Sequence, residues 1–286
     1  MRKGAHRIRN QRLNFLGDKD VKISLTGDLG SGKTTVCKLL CDSLGVEKYS
    51  TGTIIRQIAK EKGMTVVELN KYMESHPEID NEIDNGLVAL SEVDKNLIID
   101  SRMAWHFVRG TFKIYLSTAP EVSASRIFND ERDVETFTSV GEAVRNMLER
   151  KKSENFRYKQ LYNVEIFNMN NYDLIIDTTV ASPYEIVKVI TEEYQNNATH
   201  TAYFYGGRLI PTLEEYDDSD EICIASAGNN FYIMSGHNAV LQSLREKKPF
   251  VKCKFVDAPV PKYDPELLMK WASELKAMDV PAFEKY

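Results

Sequence analysis

The sequence has few cysteines, few histidines and no long apolar run. Its four cysteines, Cys37, Cys41, Cys223 and Cys253, are too few and too scattered among 286 residues for a disulfide framework, and we read them as reduced. The five histidines are dispersed, without the spacing of a zinc site, so zinc-based chemistry is not expected. No segment nears the roughly 18 consecutive apolar residues of a membrane span. The basic start Met1-Arg2-Lys3 is not followed by a hydrophobic signal region, so the expected location is the cytoplasm, with no membrane partner. Internal repeats and low-complexity segments are missing too. The formal net charge of −5, from 37 basic and 42 acidic residues, argues against a broad nucleic-acid-binding face. The exception is the arm over residues 1–20, where Arg2, Lys3, Arg7, Arg9 and Arg12 cluster. It reads as a solvated tail, or as a contact for nucleic acid or an acidic protein.

What is present is the composition of a folded protein: 42% hydrophobic and 28% charged residues suffice for a sizeable core. From residue 21 onward, strand-like runs alternate with helical stretches. The runs are Val21-Lys22-Ile23-Ser24-Leu25, Asn96-Leu97-Ile98-Ile99-Asp100, Phe112-Lys113-Ile114-Tyr115-Leu116 and Leu174-Ile175-Ile176-Asp177. Helices are expected near residues 34–44, 53–62, 66–74, 77–90, 120–129 and 140–162. Short apolar strands separated by helices imply an α/β fold with a parallel sheet covered on both faces. A last helix has Ser182 as N-cap, Pro183 at its first position and Glu185 completing a capping box, and should end near Gln195. Beyond the polar Asn196-Asn197-Ala198-Thr199 the pattern changes to short strands, turns and an acidic run. We therefore expect an α/β domain over 21–196 and a small α+β domain over 199–286.

The first strand leads directly into Gly27-Asp28-Leu29-Gly30-Ser31-Gly32-Lys33-Thr34-Thr35, which then opens a helix. This is a P-loop in the context such a loop requires. Its glycines let successive backbone N–H groups surround a phosphate, Lys33 reaches the β- and γ-phosphates, and the Thr34 hydroxyl can ligate Mg²⁺. The Asn-Lys-x-Asp signature that reads guanine is missing, which points to ATP. Phosphoryl transfer between two anions needs further cations, and the candidates are Arg56, Arg102, Arg126, Arg132, Arg150 and Arg157. Asp100, at a strand end, suits a water-mediated Mg²⁺ contact. Arg150, Glu154 and Arg157, at i, i+4 and i+7, share one helix face, a spacing that a surface ion pair also explains.

Over about residues 21–195 the order and content of these motifs resemble the cytidylate kinase-like branch of the P-loop nucleoside monophosphate kinases. The resemblance rests on the P-loop, on Ser50-Thr51-Gly52-Thr53-Ile54-Ile55-Arg56, and on the stretches 59–64 and 76–84, which look like the shorter, archaeal-type members. It implies a three-layer α/β/α fold and transfer of phosphate from ATP, with Mg²⁺, to CMP or dCMP. It also implies acceptor contacts from Ser50, Gly52, Arg56, Arg102 and Glu154, and phosphate clamping by Arg150 and Arg157. Arg126 and Arg132 look like the arginines of a lid over ATP. The chain departs from the family in carrying Ser101 where a glycine usually precedes the arginine, and Glu154 where an aspartate is usual. Competing readings are a P-loop kinase of another small molecule and a regulatory protein that binds ATP as a switch.

In the tail, a strand followed by Ser235-Gly236-His237-Asn238 and a helix resembles the phosphate-binding corner of the ParB/sulfiredoxin superfamily, with Asn238 or Ala239 where that superfamily has arginine. The expectation is a degenerate accessory or interaction module in which His237 is structural.

Overall fold

The computed structural model describes residues 21–129, 139–213, 215–228, 230–260 and 264–280. The basic arm and Arg132 lie outside them. The elements, in chain order, are β1 (Lys22–Gly27), α1 (Lys33–Leu44), β2 (Glu47–Ser50), α2 (Thr51–Glu61), α3 (Val66–Met73), α4 (Pro77–Ala89), β3 (Leu97–Asp100), α5 (Ala104–Phe107), β4 (Phe112–Ser117), α6 (Pro120–Phe128), α7 (Val140–Tyr162), β5 (Leu174–Asp177) and α8 (Pro183–Gln195). They continue with β6 (Thr201–Phe204), β7 (Leu209–Ile210), β8 (Cys223–Ala227), β9 (Asn230–Ser235), α9 (His237–Arg245), β10 (Val251–Phe255) and α10 (Pro265–Ala277).

Strands β1, β3, β4 and β5 are the four apolar runs of the sequence, buried on both faces as a covered parallel sheet requires. With β2 they form the parallel order β2-β3-β1-β4-β5. Helices α1 and α8 cover one face, where Val36, Leu40, Ile186 and Ile190 pack on Ile23, Ile114, Leu174 and Ile176. On the other face Leu87 of α4, Met103 and Tyr158 of α7 pack on Leu97 and Ile99. This is the expected three-layer α/β/α arrangement. Helix α8 carries the expected capping box: Ser182 Oγ accepts from Glu185 N and the Glu185 carboxylate accepts from Ser182 N. Helices α2, α3 and α4 form a lobe of their own, in which Ala59, Leu69, Met73 and Ile83 enclose a small core.

The sheet does not end at β5 but resumes after the connection over residues 196–199. β6 pairs parallel to β5, with Leu174 opposite Thr201 and Ile176 opposite Tyr203, and the order extends as β6-β10-β8-β9-β7 to ten strands. One apolar cluster on this face joins Tyr115 and Ile175 to Phe204, Phe231 and Trp271. A buried ion pair fastens the same seam, because Arg208 meets Asp177 at 2.8 Å and Asp177 has no exposed surface.

In the tail, His237 is fully buried at the start of α9. Its Nε2 accepts from Thr212 N at 3.1 Å, which assigns the proton to Nδ1, and Nδ1 donates to Asp217 at 2.6 Å. Asp217 also accepts from the backbone N–H groups of Gly236 and His237, so its carboxylate faces the positive N-terminal end of α9. These contacts hold the Asp217 pKa well below the ordinary carboxylate range even though burial opposes them. His237 is structural, as expected.

Candidate active site

β1 and β4 fix the path of the phosphate loop. At Gly27, φ is +151° and an added Cβ would lie 2.3 Å from the Leu116 carbonyl oxygen, so the corner between strand and loop admits only glycine. Gly30, at φ +72°, lies equally tight against Ser123 at the start of α6. Helix α1 follows with no acidic residue in its first turn, leaving its positive end for a phosphate. The Lys33 ammonium is held over the loop, donating to the carbonyl oxygens of Gly27 at 2.9 Å and Asp28 at 2.5 Å.

The loop from Leu29 through Thr35 lines a crevice of about 500 Å³, together with Gly52, Arg56, Asp100, Arg102, Arg126 and Arg150. Elements far apart in the chain supply these groups: α2 gives Arg56, the end of β3 gives Asp100 and Arg102, α6 gives Arg126 and α7 gives Arg150. Five cationic side chains thus face one carboxylate, Asp100, whose Oδ2 accepts from Ser50 Oγ at 3.4 Å. Burial, and next the Arg102 guanidinium, pull the Lys33 pKa from 10.5 down to about 7. Such crowding of positive charge is costly unless anions join it, and it describes a site shaped for polyphosphate.

Behind the crevice, Glu154 lies between two of its arginines. Its Oε2 is 3.0 Å from Arg102 Nε and its Oε1 accepts from Arg150 Nε at 2.9 Å. Burial would raise the Glu154 pKa, but Arg102 and then Arg150 hold it down at about 2. The spacing of Arg150 and Glu154 is therefore a buried two-arginine clamp and not a surface pair. Arg102 also donates to the Gly27 carbonyl oxygen, tying β3 to the phosphate loop. Ser101 lines the crevice between Asp100 and Arg102, and its hydroxyl accepts from Met103 N at 3.3 Å. Arg126 donates to the carbonyl oxygen of Thr178 at 2.8 Å and approaches that of Gly30 at 3.4 Å, bridging the loop and the end of β5.

Arg157 stands apart from this group. Two turns farther along α7 it pairs with Asp80 at 2.8 Å and donates to Asn70, locking α7 to α3 and α4. The Asp28 side chain also turns away from the crevice, accepting from Tyr115 Oη at 2.8 Å and Thr118 N at 3.1 Å. Asn146 lines the crevice one turn before Arg150 and was not among the expected residues. Its i, i+4 relation to Arg150 was the available signal.

Mg²⁺ takes hard oxygen ligands and keeps several waters. The Thr34 hydroxyl and the Asp100 carboxylate, both on the crevice wall beside Lys33, fit that demand.

A profile of the cytidylate kinase-like family matches residues 22–180. The cytidylate kinase of Archaeoglobus fulgidus is 36% identical over 171 residues, which are 59% of this chain and 92% of that protein. The cytidylate kinase of Pyrococcus furiosus is 37% identical over 169 residues, 59% of this chain and 85% of that one. The chain also matches 36% of the S-adenosylmethionine-dependent nucleotide dehydratase of Lacinutrix mariniflava, at 35% identity over 177 residues.

Proposed function

The chain belongs to the cytidylate kinase-like family and is a nucleoside monophosphate kinase; from that premise we propose that it transfers the γ-phosphate of ATP to CMP or dCMP. The observation that carries the reading is the convergence of Lys33, Arg56, Arg102, Arg126 and Arg150 on one crevice above a phosphate loop.

No general base is required, because the acceptor's phosphate oxygen is already ionised at neutral pH. The protein aligns two anions and neutralises the charge between them. Backbone N–H groups of Gly30 to Thr35 and the Lys33 ammonium hold the donor's phosphates. Arg126 of α6, bonded to Thr178 just past β5, lies on the donor side. Arg56, Arg102 and Arg150 receive the acceptor phosphate, with Ser50 and Gly52 at the α2 end of the crevice. Glu154 positions two of these arginines, and Arg157 holds α3 and α4, and with them the acceptor lobe, against α7. Thr34 and Asp100 would hold Mg²⁺, which supplies further neutralisation of the donor phosphates.

The test is ADP formation from Mg-ATP against CMP, dCMP, UMP, AMP, GMP and dTMP. Selective turnover of CMP or dCMP supports the reading, and equal turnover of all acceptors removes the assigned base preference.

A further inference from the structure

The tail reaches toward the donor side of the crevice through one short turn between β6 and β7, Gly206–Arg208. The Arg208 side chain is nearly buried, and its Nη1 donates twice: to Asp177 Oδ1, at the end of β5, at 2.8 Å, and to Ser117 Oγ, at the end of β4, at 3.1 Å. Tyr205 N, from the same stretch of tail, donates to Asp177 Oδ2 at 3.2 Å. One tail segment thus grips the C-terminal ends of two core strands.

Asp177 passes this anchorage on. Its Oδ1 also accepts from Thr179 N at 3.0 Å and from Thr179 Oγ1 at 2.5 Å, and that hydroxyl in turn accepts from Ala119 N, just before α6, at 2.9 Å. The segment held in this way presents its carbonyl oxygens to Arg126, whose Nη2 donates to Thr178 at 2.8 Å and approaches Thr179 at 3.4 Å. Arg126 itself lines the crevice. Charge runs along the same path. Burial lowers the Arg126 pKa and the Asp177 carboxylate opposes that shift, so Arg126 already feels this charge. Asp177 has no exposed surface. Without Arg208 its carboxylate would be buried and unpaired, and would draw Arg126 toward itself and away from the crevice.

We propose that Arg208 is a positioning residue for the donor nucleotide: through Asp177 and Thr179 it holds residues 178–179, and with them Arg126, in place. The tail is then a working part of the kinase and not an appendage. The inference rests on the donor-side assignment of Arg126 made above.

Isothermal titration of the full chain with Mg-ADP, well below each variant's melting temperature, tests it. Arg208→Gln should raise the Mg-ADP dissociation constant about 2- to 30-fold, the range expected for a change along a coupled network. Arg208→Lys keeps the charge and offers one nitrogen to the two acceptors that Nη1 serves, so it should bind Mg-ADP more tightly than Arg208→Gln does. Thr179→Val leaves the Arg208–Asp177 pair intact and breaks the path beyond it. It should weaken binding too, and adding Arg208→Gln to it should weaken binding no further. Lys252→Met removes another ion pair between tail and core, 2.7 Å from Glu193, without touching Asp177, and should leave binding unchanged. Unchanged binding in Arg208→Gln or in Thr179→Val, no recovery in Arg208→Lys, effects of Arg208→Gln and Thr179→Val that multiply, or an equal loss in Lys252→Met would overturn the proposal. Because the readout is donor binding, a wild type that binds Mg-ADP but phosphorylates neither CMP nor dCMP would remove the acceptor assignment alone.

Discussion

Replacing Glu154 by Gln isolates the charge logic of the crevice. The side chain keeps its shape, but the carboxylate between Arg102 and Arg150, at 3.0 and 2.9 Å, becomes neutral. A pKa held at about 2 against an ordinary 4.5 corresponds to about 3 kcal/mol of stabilisation for a buried carboxylate. That agrees with the roughly 3–5 kcal/mol lost when one partner of a buried ion pair is removed. Because the folded pKa lies below the unfolded one, this contribution is present above about pH 4.5 and is lost as pH falls toward 2. In a chain of this size about 3 kcal/mol lowers the melting temperature by roughly 6–12 °C. If the arginines are there to receive phosphates, nucleotides supply the missing negative charge. Calorimetry with and without Mg-ADP plus CMP should therefore show a larger nucleotide-induced rise in Glu154→Gln than in wild type. A melting loss below about 2 °C, or equal nucleotide increments in both proteins, would refute the reasoning.

Three other outcomes are expected. Asp84 is buried and accepts from Tyr162 Oη at 2.7 Å, yet burial raises its pKa from 3.8 to about 6. The folded state then holds the proton more tightly, so Asp84 costs stability that grows as pH rises from about 4 to 6 and stays constant above. Asp84→Asn should raise the melting temperature at pH 7.5 and flatten its decline across that window, which thermal scans from pH 4 to 8 would detect. Lys33→Ala should reduce kcat at least about 100-fold while far-UV circular dichroism stays unchanged, and wild-type turnover would remove Lys33 from the mechanism. Arg208→Ala leaves the Asp177 carboxylate buried without its guanidinium partner, so the chain should lose about 3 kcal/mol in urea unfolding; an unchanged midpoint would show that the seam does not depend on this pair.

The phosphate loop was legible because its chemistry is local. Glycines at Gly27, Gly30 and Gly32, the lysine and the hydroxyls must be consecutive, and a strand and a helix must flank them. The capping box at Ser182 and Glu185 was legible for the same reason. β2 was harder, because Glu47-Lys48-Tyr49-Ser50 is polar and half exposed and leaves no apolar run. Composition changes at residues 196–199, but whether β5 ends the sheet or accepts β6 depends on backbone groups distant in sequence. The run Leu174-Ile175-Ile176-Asp177 reads alike in either case. Arg157 shows the limit of helical periodicity. It shares a face with Arg150, yet seven residues are about 10 Å along the axis, enough to carry it past the crevice to Asp80. Nor could spacing reveal that Glu154 serves Arg102, a partner 52 positions away and on another element.

The most direct test of the account is the rate of ADP formation by the full-length protein with Mg-ATP and each nucleoside monophosphate in turn. The account predicts turnover that requires the acceptor, is highest with CMP or dCMP and collapses in Lys33→Ala. ADP release at the same rate with no acceptor present, or none with any nucleoside monophosphate despite ATP binding, would contradict it.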